Sequence, residues 1–151
     1  MRRHSPNHQS GVSLIEILVA LFTLSIGLLG LATMQAKTLQ LNQSAYQRTQ
    51  ATMLAKDVID RIRANGSNVG DYVTDYSYSG SAIDCSSSSC NSNQMALSDI
   101  DAWQNLVDQN INGAGSIQLY GTADGVAIYD ISIQWEDRDG NTRTFLTRAT
   151  F

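Results

Sequence analysis

Histidine is nearly absent from this sequence. Both histidines, His4 and His8, lie before a long apolar run. If the residues before that run are removed on export, the remaining chain has no histidine. That excludes Ser-His and Cys-His nucleophilic catalysis and histidine-ligated metals. The sequence therefore predicts a protein that is not an enzyme, with no catalytic residues, no metal site and no cofactor.

Cysteine is also scarce, since Cys85 and Cys90 are the only two and lie in a Ser-rich stretch. An even pair in an exported segment is typical of a disulfide. A zinc site would need two further ligands, and a redox-active pair more often has Cys-x-x-Cys spacing. We therefore predict a structural disulfide, worth about 2 kcal/mol for so small a loop.

The stretch from Val12 to Met34 has almost no charge, since Glu16 is its single ionisable residue. The stretch covers about 23 residues, roughly 35 Å as a helix, which is enough to cross a bilayer. The rest of the chain is polar, and the net charge of −4 becomes more negative if the leading arginines are removed. An acidic body argues against broad binding to nucleic acid. Three arginines in the rear half keep DNA contact as a minor alternative: Arg138, Arg143 and Arg148.

Three kinds of export signal compete for this N-terminal region. A secretory signal peptide could be cut after Gly30-Leu31-Ala32, but the apolar run is long for one. A plain membrane anchor fits the length and gives no reason for Glu16. A carboxylate in hydrocarbon costs about 2.5–3.5 kcal/mol even on insertion scales, so Glu16 is predicted to be functional.

The run Ser10-Gly11-Val12-Ser13-Leu14-Ile15-Glu16 resembles the type III signal of type IV prepilins. The resemblance implies a leader over 1–11, cut by a prepilin peptidase between Gly11 and Val12, and a candidate N-methylation of Val12. The family usually has Phe at the new N-terminus, where this chain has Val12. Glu16 matches the family's assembly glutamate, which pairs with the N-terminal amine of a neighbouring subunit.

Further runs resemble the PilV-type minor pilins: Ile26–Ala36, Asn42–Ala45 and Asp60–Asn65. This resemblance implies assembly with other minor pilins, the major pilin and the inner-membrane assembly platform. It also implies a single-pass inner-membrane protein with a cytoplasmic N-terminus and a periplasmic C-terminal domain, later part of an extracellular pilus. A type II secretion pseudopilin, or a pilus-tip subunit that binds DNA or a host ligand, are the alternatives.

Helical periodicity continues past the apolar run, so we predict a membrane half over 12–34 and an amphipathic half over 35–65. Apolar residues recur at three- and four-residue spacing from Ala51 to Ile62, and Asn65-Gly66 is a helix stop. Two helices with a break near Gln40–Ser44 are the alternative. Gly27 and Gly30 are either weak points of the helix or sites of close helix packing.

The remainder divides into a Ser/Gly-rich loop over 66–97 and a domain over 98–151. Ser98 is predicted to cap a short helix that ends at Asn112–Gly115. Alternating residues, most clearly from Tyr129 to Trp135, predict an antiparallel sheet with one buried face. Ile117 and Leu119 should share that face. The Asp137–Asn141 turn allows a calcium site as a secondary alternative to a hairpin. The predicted fold is α+β and pilin-like, with a long helical spine packed on a small sheet.

Overall fold

The structure is a computed structural model that describes residues 11, 13–80, 83–85, 87 and 89–151. The chain divides into two compact units, Met1–Leu41 and Asn42–Phe151. Helix α1 runs over Leu14–Ala64 and contributes to both. Its bounds agree with the prediction of one helix that ends before Asn65-Gly66, and the alternative of a break near Gln40–Ser44 is wrong.

The first unit consists, in its described part, of the apolar half of α1. Its side chains are exposed on every face of the helix, with Phe22 and Leu29 exposed by 68% and 70%. A helix that is apolar all round needs lipid or other helices to cover it. By length and composition, α1 is the one helix in the described part of the chain that could cross a membrane.

The second unit is built on the amphipathic half of α1. Five residues at three- and four-residue spacing are buried there: Ala51, Leu54, Ala55, Val58 and Ile62. They pack in one core with residues of the second helix and the sheet. The predicted apolar stripe is therefore the face that this half of α1 presents to the rest of the unit.

A 3-10 helix, Gly66–Tyr72, follows α1, and helix α2 spans Ser92–Ile111. The predicted start of this helix at Ser98 is wrong. Asn91 is the N-cap and forms a capping box with Gln94. The Asn91 side chain accepts a hydrogen bond from the Gln94 backbone N–H, and the Gln94 side chain accepts one from the Asn91 backbone N–H. The helix ends at Asn112, which adopts a left-handed conformation with φ 50°. The predicted end at this position is correct.

Three antiparallel strands complete the unit in the order β1-β2-β3: Gly113–Ala123, Val126–Glu136 and Thr142–Thr150. Asp124 and Gly125, with φ 53° and 81°, close the first hairpin in the left-handed region that a two-residue turn needs. In β2 the alternating residues Ile131, Ile133 and Trp135 are buried, as predicted.

Leu119 departs from the prediction, because it is 55% exposed while Ile117 is fully buried. The pairing of β1 with β2 shifts register between Leu119 and Gly121, at a β-bulge. The bulge lies beyond Leu119, which still pairs with Tyr129 in the register of Ile117 with Ile131 and so keeps the same face of the strand, as predicted. What the alternation does not reveal is where the cover over that face ends. The buried face of β1 therefore ends at Ile117.

Candidate assembly surface

Glu16 lies in the first turn of α1. The Ser13 carbonyl accepts hydrogen bonds from the backbone N–H groups of Glu16 and Ile17 at 3.0 and 3.3 Å, which closes that turn. A carboxylate near a helix N-terminus is favoured by the helix dipole, but this is worth only about 0.3–1 kcal/mol. Among the described residues, Glu16 has no ion-pair partner.

The other polar groups of the apolar half are satisfied within the helix. The hydroxyls of Thr23, Ser25 and Thr33 donate to the carbonyls of Ala20, Leu21 and Leu29 at 2.7–2.9 Å. Such back-bonding removes the need for an external partner. Glu16 is thus the side chain from Leu14 to Met34 that still requires one when water is excluded.

The predicted processing site lies partly outside the described residues. Gly11 is exposed and precedes the helix, whereas Val12 and 1–10 are among the residues not described. Cleavage between Gly11 and Val12, and methylation of Val12, therefore remain predictions. Gly27 and Gly30 lie within α1, and a β-carbon at either would have no atom within 4 Å. Any steric demand for glycine there must come from a neighbouring molecule.

The Cys85–Cys90 disulfide is present, as the sequence predicts. Cys90 directly precedes Asn91, the N-cap of α2, so the bridge ties the loop to the start of that helix. The Asn65 side chain donates to the Ser92 carbonyl at 2.7 Å and links the end of α1 to the same place. The two ends of the long loop are therefore held together.

Replacing both cysteines with serine is expected to lower the free energy of unfolding of the second unit by about 2 kcal/mol. The bridge restricts the unfolded loop, and serine keeps the side-chain size without it. Denaturant unfolding of the full chain in detergent, followed by tryptophan fluorescence, measures the change. A reductant should shift the wild-type midpoint and leave that of the double variant unchanged; equal midpoints in all four samples would contradict the prediction.

An ion-pair network that the sequence did not predict joins α1, the 3-10 helix and α2. Arg61 contacts Asp57 at 2.8 Å and Asp99 at 3.2 Å, and the Tyr72 hydroxyl donates to Asp99 at 2.6 Å. Burial opposes the charge of Arg61, but both carboxylates outweigh it and raise the pKa of Arg61. Burial and the Asp99 hydrogen bond raise the pKa of Tyr72. Asp57 pairs with Arg61 within α1, and Arg61 links α1 to α2 through Asp99.

The loop tyrosines cover their own domain. Tyr72 is fully buried, and the Tyr76 hydroxyl contacts the Ser132 hydroxyl on the sheet at 2.7 Å. Thr74 forms an isolated antiparallel bridge with Ile117 at the free edge of β1. The loop therefore protects one edge of the sheet, as loops and short strands often do.

The acidic turn after β2 is a hairpin turn whose carboxylates face an arginine. Arg143 contacts Asp137 at 3.4 Å and Asp139 at 2.8 Å. Hydrogen bonds from Asn141, and Arg143 nearby, lower the pKa of Asp139. Both carboxylates are thus already paired with a cation of the chain, an arrangement that does not favour calcium.

Two of the three arginines considered for DNA contact are paired with carboxylates. Arg148 pairs with Asp130 at 2.7 Å and stacks over the Tyr120 ring at 3.6 Å. Arg143 pairs with the acidic turn described above. A surface whose cations are paired with carboxylates has little net attraction for phosphates. The geometry therefore does not strengthen the DNA alternative.

Two family models match the chain. The prokaryotic N-terminal methylation motif matches residues 6–32, and the family described as type IV pilin Tt1218 matches residues 33–103. No curated protein and no solved structure gives a significant match. The first match contains the run from Ser10 to Glu16, and the second contains the amphipathic half of α1. With its long helix packed on a small antiparallel sheet, the chain is a type IV pilin with a prepilin-like N-terminal signal.

Proposed function

We propose that this pilin is a minor pilin of the PilV type that takes part in priming or modifying a type IV pilus. The observation that carries the proposal is the lone carboxylate of Glu16 in the apolar segment of α1. The hydroxyl groups of that segment form hydrogen bonds within the helix, and Glu16 has no such partner among the described residues. Once such helices pack together, the cost of burying that carboxylate favours arrangements that give it a cation. The N-terminal amine of Val12 on a neighbouring subunit is the proposed partner.

The same proposal gives the route of the protein through the cell. A prepilin peptidase would cut between Gly11 and Val12, and Val12 would be methylated. The chain would then stay in the inner membrane, N-terminus cytoplasmic and C-terminal domain periplasmic, until the assembly platform moves it into the pilus. Its partners there would be other minor pilins and the major pilin. We assign it a structural role and no catalytic activity.

Mass spectrometry of the mature protein tests the processing step directly. We expect an N-terminus at Val12, with or without an added methyl group, because the type III signal ends at Gly11. A start at Thr33 would show cleavage after Ala32 by the route of a secretory signal peptide and would overturn the proposal. The intact leader in a strain without the prepilin peptidase is the matched control.

Gene deletion separates the pilus from a type II secretion filament, which uses the same N-terminal chemistry. We expect a deletion strain to lose piliation or twitching while it still secretes folded exoproteins. The opposite pattern would assign the chain to a pseudopilin. The PilV-like runs after Ser25 support the first outcome.

A further inference from the structure

A polar cleft opens in the second unit where the start of its α1 segment meets the adjoining ends of β2 and β3. The cleft holds about 420 Å³. Residues from three elements form its polar wall: Ser44, Arg48, Trp135, Arg143 and Thr144. Neither the predicted assembly site nor the disulfide involves this cleft, which we call the Arg48 cleft.

Among the described residues, two charged groups line the Arg48 cleft, the guanidinium groups of Arg48 and Arg143. Arg143 is already paired with the carboxylates of Asp137 and Asp139. Arg48 has an exposed side chain and no ion-pair partner in the described part of the chain. The cleft therefore offers one uncommitted positive charge, and a planar guanidinium suits a carboxylate.

Trp135 closes one side of the cleft. Its side chain lies in the wall of the cleft, and the residue is 5% exposed. Its Nε1–H has no hydrogen-bond partner among the described residues, although Tyr and Trp donors usually find one when buried. Leaving a buried donor unpaired costs about 1–3 kcal/mol. The Nε1 atom is itself buried, so an acceptor that enters the cleft does not reach it, and the free polar group of the cleft is the Arg48 guanidinium.

We propose that the Arg48 cleft receives an Asp or Glu side chain of an adjacent pilin subunit. This inference rests on the proposed function, because the carboxylate is presented by a neighbour in the filament. A solvated ion pair is worth only about 0.2–1 kcal/mol, so free carboxylates would bind weakly. Subunits already held by their apolar helices present the group at an effective concentration in the millimolar range, where a weak pair becomes occupied.

Zero-length cross-linking of isolated pili tests the proposal. Arg48→Lys keeps the positive charge and introduces an amine in place of the unreactive guanidinium. A carbodiimide activates a carboxylate, the Lys amine attacks it, and an amide forms as the reagent leaves as a urea. We expect pili containing R48K to yield a peptide that links position 48 to an Asp or Glu of another subunit, and wild-type pili to lack it.

Arg63→Lys is the matched control, because Arg63 is an exposed guanidinium near the opposite end of the same helical segment. We expect its link to stay within the chain, at Asp60, which lies 3.3 Å from it.

Four results would overturn the inference: no link at position 48 although R48K enters pili normally, a link only to the same chain, a lipid phosphate adduct instead, or exclusion of R48K from pili. The wild-type protein is first located in sheared pili by immunoblotting. Its absence from every pilus preparation would contradict the proposed function itself. Its presence without the link contradicts only the role of the cleft.

Discussion

Glu16→Ala is expected to remove the protein from pili, at least tenfold, while its amount in the membrane stays the same. Removing one member of a buried ion pair leaves the other unpaired and costs about 3–5 kcal/mol. Each 1.4 kcal/mol is a factor of ten in an equilibrium, so incorporation should fall steeply. Membrane insertion should not suffer, because alanine removes the insertion cost of a carboxylate. Immunoblots of sheared pili and membranes measure both quantities.

Two further variants give this experiment its controls. Glu16→Gln keeps the length of the side chain without its charge, and it should fail like alanine if charge pairing is the cause. Ser25→Ala removes a polar group that already bonds within its own helix, donating to the Leu21 carbonyl at 2.7 Å. It should enter pili normally. Normal incorporation of Glu16→Ala would remove the basis of the assembly proposal.

Trp103→Ala should have the largest effect on the fold, a loss of about 3–5 kcal/mol in the free energy of unfolding. Trp103 is fully buried in the shared core, and its Nε1–H donates to the Leu54 carbonyl of α1 at 2.9 Å. Its ring lies directly over Gly115, where a β-carbon would collide with it. The residue thus joins α2 to both α1 and the first strand, so truncation leaves a cavity at their junction.

Denaturant unfolding of the full chain in detergent measures the loss, with the fluorescence of Trp135 as the reporter in the variant. Gly115→Val is the complementary test, because it keeps Trp103 and fills the space beneath the ring. It should also destabilise, by about 1–3 kcal/mol, through overpacking. Gly121→Val is its control, since a β-carbon at Gly121 has no atom within 4 Å. A change below 1 kcal/mol for Trp103→Ala would contradict the described packing.

The features that the sequence predicts well are those with a local or periodic signature. The apolar stripe from Ala51 to Ile62 repeats with the period of a helix, and the alternation through Trp135 repeats with the period of a strand. The end of α2 at Asn112 and the disulfide likewise depend on residues that are near in sequence. Such signals need no knowledge of the tertiary fold.

The start of α2 was predicted wrongly although its signal is also local. Asn91 and Gln94 stand three residues apart, the spacing of a capping box, and both reciprocal hydrogen bonds are present. The Ser-rich composition around them favoured a longer loop. Here the spacing of the two capping residues predicts the start of α2 better than the local composition does.

The contacts that the sequence could not predict join residues that are far apart along the chain. Arg61 and Asp99 are separated by 38 positions, and the Arg48 cleft combines a helix with two strand ends. Single-sequence patterns show which face of an element is apolar. They do not show which polar residues of two elements meet, because that depends on the packing of both.

The hydroxyl groups of the apolar segment bear on how a filament of such helices responds to force. Since Thr23, Ser25 and Thr33 direct their protons to their own backbone, these hydroxyls have no proton left to donate to an adjoining helix. If such helices pack side by side in a pilus, as proposed, sliding one past another should mainly exchange one apolar neighbour for another of similar energy. Under tension such a fibre should extend smoothly, and the pairing of a single acid with an amine should define the length to which it recoils.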